Sequence, residues 1–100
     1  MTITAETHKT VLMLMHTLLG VISPNFRMIT LEAVPDGWEI WFYLDEANPD
    51  DEAEIEDVLF ELDALQWPAT AALSAKTIIG REPLNMPDWN VQYTAFKRRE

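Results

Sequence analysis

Residues 45–63 read DEANPDDEAEIEDVLFELD, and this stretch decides the fold. It holds ten of the chain's 17 acidic residues: Asp45, Glu46, Asp50, Asp51, Glu52, Glu54, Glu56, Asp57, Glu61 and Asp63. No Lys or Arg occurs between Arg27 and Lys76, so nothing nearby in sequence neutralises them. The same residues predict a helix. Asn48 suits the N-cap, Pro49 the first helical position, and Asp50, Asp51 and Glu52 complement the positive end of the macrodipole. Trp67-Pro68 predicts the stop, because a proline disfavours helical geometry in the residue before it. Ile55, Val58, Leu59, Leu62 and Leu65 recur at helical spacing and mark the core side. Asp50, Glu54, Glu56, Asp57, Glu61 and Asp63 fall on the other side, with Phe60 among them. Such a face is either ordinary solvated surface or the complement of a cationic partner. The missing lysines argue for the partner, since carboxylates repel one another without pairing charges three or four residues away. An aromatic in this field has the character of an interface anchor.

Working outward, residues 4–20 predict a first helix, capped at Thr4 and stopped at Gly20. Its apolar positions are Val11, Leu14, Met15, Leu18 and Leu19, followed by Ile22, and Met13 and Met15 read as packing residues. Ser23-Pro24-Asn25 is a turn. Residues 26–34 then alternate as a strand, Ile29, Leu31 and Ala33 against Met28, Thr30 and Glu32. Pro35-Asp36-Gly37 predicts a turn in which proline presets φ and glycine accepts a positive one. Residues 38–44 return as a second strand, Trp38, Ile40, Phe42 and Leu44 on an apolar face and Glu39, Trp41 and Tyr43 on the other.

After the acidic helix, residues 69–79 have the character of a third strand. Residues 80–88 (GREPLNMPD) read as a loop, and residues 89–96 as a last strand with Asn90, Gln92 and Thr94 on its polar side. Lys97-Arg98-Arg99 reads as a solvated tail, with folding back onto the acidic field as the alternative. The order α-β-β-α-β-β predicts an α+β domain over residues 1–100, one four-stranded, mostly antiparallel sheet with two helices on one face.

Composition narrows the function. A hydrophobic fraction of 48% with four Trp belongs to a globular chain rather than a disordered one. A net charge of −10 disfavours nucleic acid and anionic membrane as ligands and favours a basic protein. Zero cysteines exclude disulfides and thiolate metal sites and fit a reducing compartment. The N-terminus carries no basic leader and residues 11–22 are too short to span a bilayer, so the expected location is the cytoplasm. No Gly-x-Ser-x-Gly elbow or phosphate-cradling glycine loop occurs. An EF-hand starting at Asp50 would need glycine where Ile55 stands. His8 and His16 share no acidic partner. The reading is a binding protein, not an enzyme, with no metal and no cofactor.

With these residues placed, Leu19-Gly20-Val21-Ile22-Ser23-Pro24-Asn25-Phe26-Arg27, then Ile40-Trp41-Phe42-Tyr43-Leu44-Asp45, then Asp50-Asp51-Glu52 running into Ile55-Glu56-Asp57-Val58, resemble small bacterial immunity proteins. These are the cytoplasmic antitoxins of contact-dependent growth inhibition and colicin-like systems. The resemblance covers residues 19–65, and LGxISPNxR is its most specific segment. It implies a non-enzymatic protein that binds and blocks a C-terminal toxin domain, often an RNA-cleaving nuclease; the expected state of the chain itself is a monomer or weak dimer. The charge pattern agrees, because a nuclease must present Lys and Arg to hold RNA. The expected partner-binding residues are Asp45, Glu46, Asp50, Asp51, Glu54, Asp57, Phe60 and Glu61, with Glu39, Trp41 and Tyr43 on the sheet. The carboxylates would steer, and Phe60 or the Trp41/Tyr43 face would anchor. Two other readings are an acidic adaptor for a basic regulator and a small ligand-binding domain with a pocket behind Trp38, Trp67 or Trp89.

Overall fold

The computed structural model describes residues 5–66, 71–84 and 92–99. Its elements follow the expected order: α1 (Ala5–Thr17), β1 (Phe26–Val34), β2 (Gly37–Leu44), α2 (Pro49–Leu65), β3 (Ala72–Ile79) and β4 (Gln92–Lys97). Thr4, the Trp67-Pro68 stop, the second half of the expected loop (85–88) and the start of the last expected strand (89–91) lie outside the described residues.

The sheet runs β3-β2-β1-β4. β1 pairs antiparallel with both β2 and β4, while β3 runs parallel to β2. The parallel pair follows from the chain between the two strands. Seventeen residues of α2 carry it back along the sheet, as a parallel connection requires, whereas β1 and β2 need only a tight turn.

That turn departs from the sequence expectation. Val34 already pairs with Gly37, so Pro35 and Asp36 alone make the bend and Gly37 opens β2. Among the described residues only Gly20 (φ 79°) and Gly80 (φ 153°) have positive φ. Gly37 is required for a different reason: a Cβ there would overlap the Ala72 carbonyl and backbone nitrogen on the neighbouring parallel strand. Gly20, by contrast, takes the left-handed conformation expected of a residue that ends a helical segment.

Both helices pack on one face of the sheet. Val11, Leu14 and Leu18 from α1 and its end, and Ile55, Val58 and Leu62 from α2, meet Phe26, Ile29, Leu31, Ile40, Phe42 and Leu44 in one cluster. Each side chain of this size contributes about 1.5–3 kcal/mol when fully buried. The helical stripes are narrower than their sequence patterns. Met15 and Leu19 on α1 and its end, and Leu65 at the end of α2, are exposed, at 45%, 74% and 44%, so they belong to the surface rather than the core. β1 departs in the other direction. Met28 and Thr30, on the face away from the helices, are as buried as Ile29 and Leu31. Each stands between two neighbours across the ladder, Met28 between Tyr43 and Lys97 and Thr30 between Trp41 and Thr94. A central strand is screened on both sides by longer side chains of its neighbours. No helix among the described residues is long and apolar enough to cross a membrane.

Candidate functional site

The start of α2 is built as its sequence implies. The Asn48 side-chain oxygen accepts from the backbone amides of Asp50 (2.9 Å) and Asp51 (3.2 Å), and Pro49 occupies the first turn. This cap is worth about 1 kcal/mol. It also fixes the rotation of the helix, so that Ile55, Val58 and Leu62 face the sheet.

On the solvent side, Asp50, Glu54, Asp57 and Glu61 succeed one another at four-, three- and four-residue steps, which places them along one edge of the helix. All four are exposed, as are Glu52, Glu56 and Asp63. Among the described residues, the ion pairs of the structure involve Asp45 and Glu46 and none of these helical carboxylates. The last turn carries no basic residue. Phe60 is 78% exposed beside them, the most exposed large apolar side chain among the described residues.

Two of the expected site residues are committed elsewhere. Asp51 is buried, accepting from the Ser23 hydroxyl (3.0 Å) and the Asn25 side-chain amide (2.9 Å). Asn25 also donates to the Glu46 carbonyl and accepts from the Glu46 amide, clamping the entry to α2. Asp45 receives a two-pronged contact from Arg98, at 2.8 and 3.0 Å, and lies 3.7 Å from the Arg27 side chain. The Arg98 hydrogen bond, with added attraction from Arg81 and Arg27, holds the Asp45 carboxyl below its ordinary pKa. Arg98 is therefore not part of a solvated tail. It also donates to the Pro24 carbonyl, and its backbone amide bonds to Arg27. Arg27 is buried and donates to the Gly80 carbonyl (2.9 Å). Glu46 keeps an exposed side chain, 4.0 Å from Arg81.

Ser23, Asn25 and Arg27 thus form a polar hub that joins the α1–β1 turn to the N-terminus of α2, the end of β3 and the end of β4. The sequence marked Ser23 and Asn25 as a turn and grouped them with Arg27 only through a resemblance. Their contacts to the other elements lie 18 to 71 positions apart in the chain (Arg27 to Asp45 is 18, Arg27 to Arg98 is 71), which no local pattern encodes.

The Glu39, Trp41 and Tyr43 group is well ordered internally. The Trp41 ring nitrogen donates to Glu39 (2.9 Å), its ring stacks on Tyr43 at 6.5 Å, and the Lys76 ammonium sits 4.7 Å over it. Burial, with a smaller push from Glu32, holds the Tyr43 hydroxyl above its ordinary pKa. These side chains alternate with Ile40 and Phe42, which face the helices, so they occupy the opposite side of the sheet from α2. The structure does not bring the acidic helix edge and the Trp41/Tyr43 face into one flat surface. Of the tryptophans named for a ligand pocket, Trp38 packs against the core, and Trp67 and Trp89 lie outside the described residues.

No curated protein matches the chain. A family model does, over residues 7–100, and that span includes the hub, both described faces of the sheet and the whole acidic helix. The chain belongs to the MafI2 immunity protein family, a family whose role is immunity against a toxin.

Proposed function

We propose that this protein is a cytoplasmic antitoxin that binds the C-terminal domain of a toxin from a contact-dependent inhibition or colicin-like system. The toxin domain is a basic, RNA-cleaving nuclease. The outer edge of α2 is the docking surface: Asp50, Glu54, Asp57 and Glu61 occupy cationic groups that would otherwise hold RNA phosphates, and Phe60 is the apolar anchor. The observation that carries this reading is a helix edge of exposed carboxylates with no cation paired to it among the described residues. Such a row costs stability by self-repulsion, and a basic partner relieves that cost on binding. Asp45 and Asp51 hold the helix in place and are not partner contacts. Glu39, Trp41 and Tyr43 lie across the sheet and would meet the toxin only if it wrapped around an edge.

The test begins with a tagged pull-down from the native bacterium to obtain the toxin domain, followed by stopped-flow association. Asp57→Lys with Glu61→Lys should lower the association rate at least about tenfold at low salt and flatten its salt dependence. Phe60→Ala should leave association nearly unchanged and speed dissociation. An association rate untouched by the double charge reversal would place the steering surface elsewhere and remove the basis of this reading.

A further inference from the structure

β3 forms one edge of the sheet, and among the described residues its one strand neighbour is β2. That pairing is parallel, and its register runs unbroken from Gly37 opposite Ala72 to Leu44 opposite Ile79. Two bonds fix which backbone groups it uses. The Ala72 amide donates to the Asp36 carbonyl and the Gly80 amide to the Leu44 carbonyl, both at 3.0 Å. Along a parallel strand the amide and carbonyl of one residue point to the same side, and the side alternates from residue to residue. Ser74, Lys76 and Ile78 therefore turn their backbone toward β2, in step with Ala72. Leu73, Ala75, Thr77 and Ile79 turn their amides and carbonyls outward, past the edge of the sheet.

Such an edge is usually protected by shortness, a bulge, proline or outward charge. The opposite edge fits that rule: β4 has six residues, its register against β1 shifts between Ile29 and Thr30, and it ends on Lys97 ahead of Arg98 and Arg99. β3 is built differently. It is eight residues long, without proline, and its sequence ALSAKTII carries one charge. That charge, on Lys76, lies 4.7 Å over the Trp41 ring of β2 and so is drawn inward from the edge. Thr77, Ile78 and Ile79 are exposed in succession, so the second half of the strand meets solvent on both faces.

We infer that the toxin domain adds a strand here: an extended, basic segment of it pairs with the outward backbone groups of Leu73, Ala75, Thr77 and Ile79. This rests on the toxin reading above and names how that toxin is held. Main-chain bonds to a sheet edge supply affinity, and the alternate side chains of the added strand supply specificity. Charge selects the occupant. α2 packs against β3, is tied to the residue before it by the Gln66 side chain on the Ala71 carbonyl (2.7 Å), and contains no basic residue. A second copy paired β3 to β3 about a two-fold axis would lay two such helices side by side on one face, in chains of net charge −10 each. A basic strand meets the same carboxylates as counter-charges. It also presents alternate side chains to the α2 side and the Lys76 side of the sheet, which docking on α2 alone does not.

The experiment is amide hydrogen exchange on the full chain, read residue by residue by nuclear magnetic resonance, alone and with the toxin domain recovered in the pull-down above. In the chain alone, Ser74, Lys76 and Ile78 should exchange slowly and Leu73, Ala75, Thr77 and Ile79 fast. The toxin domain should slow the second group at least about tenfold and leave the first unchanged, an alternation that simple covering of the strand does not produce. Thr77→Pro should weaken the complex at least about tenfold, since proline is tolerated on an edge strand where its missing N–H faces outward. The exchange pattern of the parent chain decides the matter if that variant does not fold. A toxin complex in which the four amides still exchange fast overturns this inference and leaves the α2 reading standing, whereas a parent chain that binds no toxin overturns both. Protection of the same amides that rises with the concentration of the chain alone assigns the edge to a second copy and also overturns it.

Discussion

Asp51 and Asp50 are adjacent acidic residues at the start of one helix, and their removal should have very different consequences. Asp51→Ala deletes a buried carboxylate that accepts one hydrogen bond from Ser23 and one from Asn25, at 3.0 and 2.9 Å. Hydrogen bonds to charged groups are worth about 1.5–3 kcal/mol each. The two donors are partly buried, and Asn25 retains its bonds to the Glu46 backbone, so some of that energy is recovered through water and the remaining partners. A net loss of about 2–4 kcal/mol follows, a large share of the roughly 5–15 kcal/mol that holds a domain together. For a chain of this length that corresponds to a fall in Tm of about 10–25 °C. Asp50→Ala removes an exposed carboxylate whose main effect on the fold is its interaction with the helix dipole, worth less than about 1 kcal/mol. Urea unfolding followed by circular dichroism measures both. Below the melting range the toxin affinity of the Asp51 variant should match the parent, while that of the Asp50 variant should drop. Equal stability losses in the two variants would refute the hub as the device that fixes α2.

Two further predictions follow from the same geometry. The Arg98 hydrogen bond holds the Asp45 carboxyl below its ordinary value, so folding favours its ionised form. The stability it adds is complete above the unfolded carboxylate value of about 3.9 and is lost as pH falls through the lowered folded value; Asp45→Asn should therefore flatten the acid limb of urea midpoint against pH, and an unchanged limb would exclude this pair as its source. Gly37→Ala should cost about 2 kcal/mol or more in urea unfolding, because the added methyl meets the Ala72 backbone rather than a movable side chain, whereas a stability change below about 0.5 kcal/mol would show that the β2–β3 register adjusts freely.

Much of this fold is local in origin, and that part is readable from the chain. The Asn48-Pro49 start of α2, the alternation of β1 and β2 and the stop at Gly20 each depend on neighbours within a turn or a strand. The burial of Met28 and Thr30 does not, because it arises from β1 sitting between two strands, and a strand's place in the sheet is absent from its own sequence. The true role of Gly37 is hidden in the same way. Its neighbour Pro35-Asp36 makes a turn reading natural, yet the constraint comes from Ala72, which reaches it only after α2 has crossed the sheet. Met15, Leu19 and Leu65 satisfy helical periodicity, but they lie at the margins of stripes whose centres already fill the space above the sheet.

The acidic residues show the same division in chemical form. Sequence reasoning treats Asp45, Asp50 and Asp51 as members of one charged field, because nothing cationic lies near them along the chain. In three dimensions the partners of Asp45 and Asp51 come from residues 23–27 and from Arg98, and they turn two members of the field into fasteners of the helix. This separation gives the remaining row its meaning. With the N-terminus of α2 tied to β1 and β4 by Ser23, Asn25, Arg27 and Arg98, the exposed edge of Asp50, Glu54, Asp57 and Glu61 is presented on a rigid element. A rigid row of charge loses little freedom on association, so more of its attraction to a basic partner remains as affinity. On the proposed reading the hub and the acidic edge are thus parts of one device: the first group of carboxylates, together with the arginines, fixes the position from which the second group would meet the toxin.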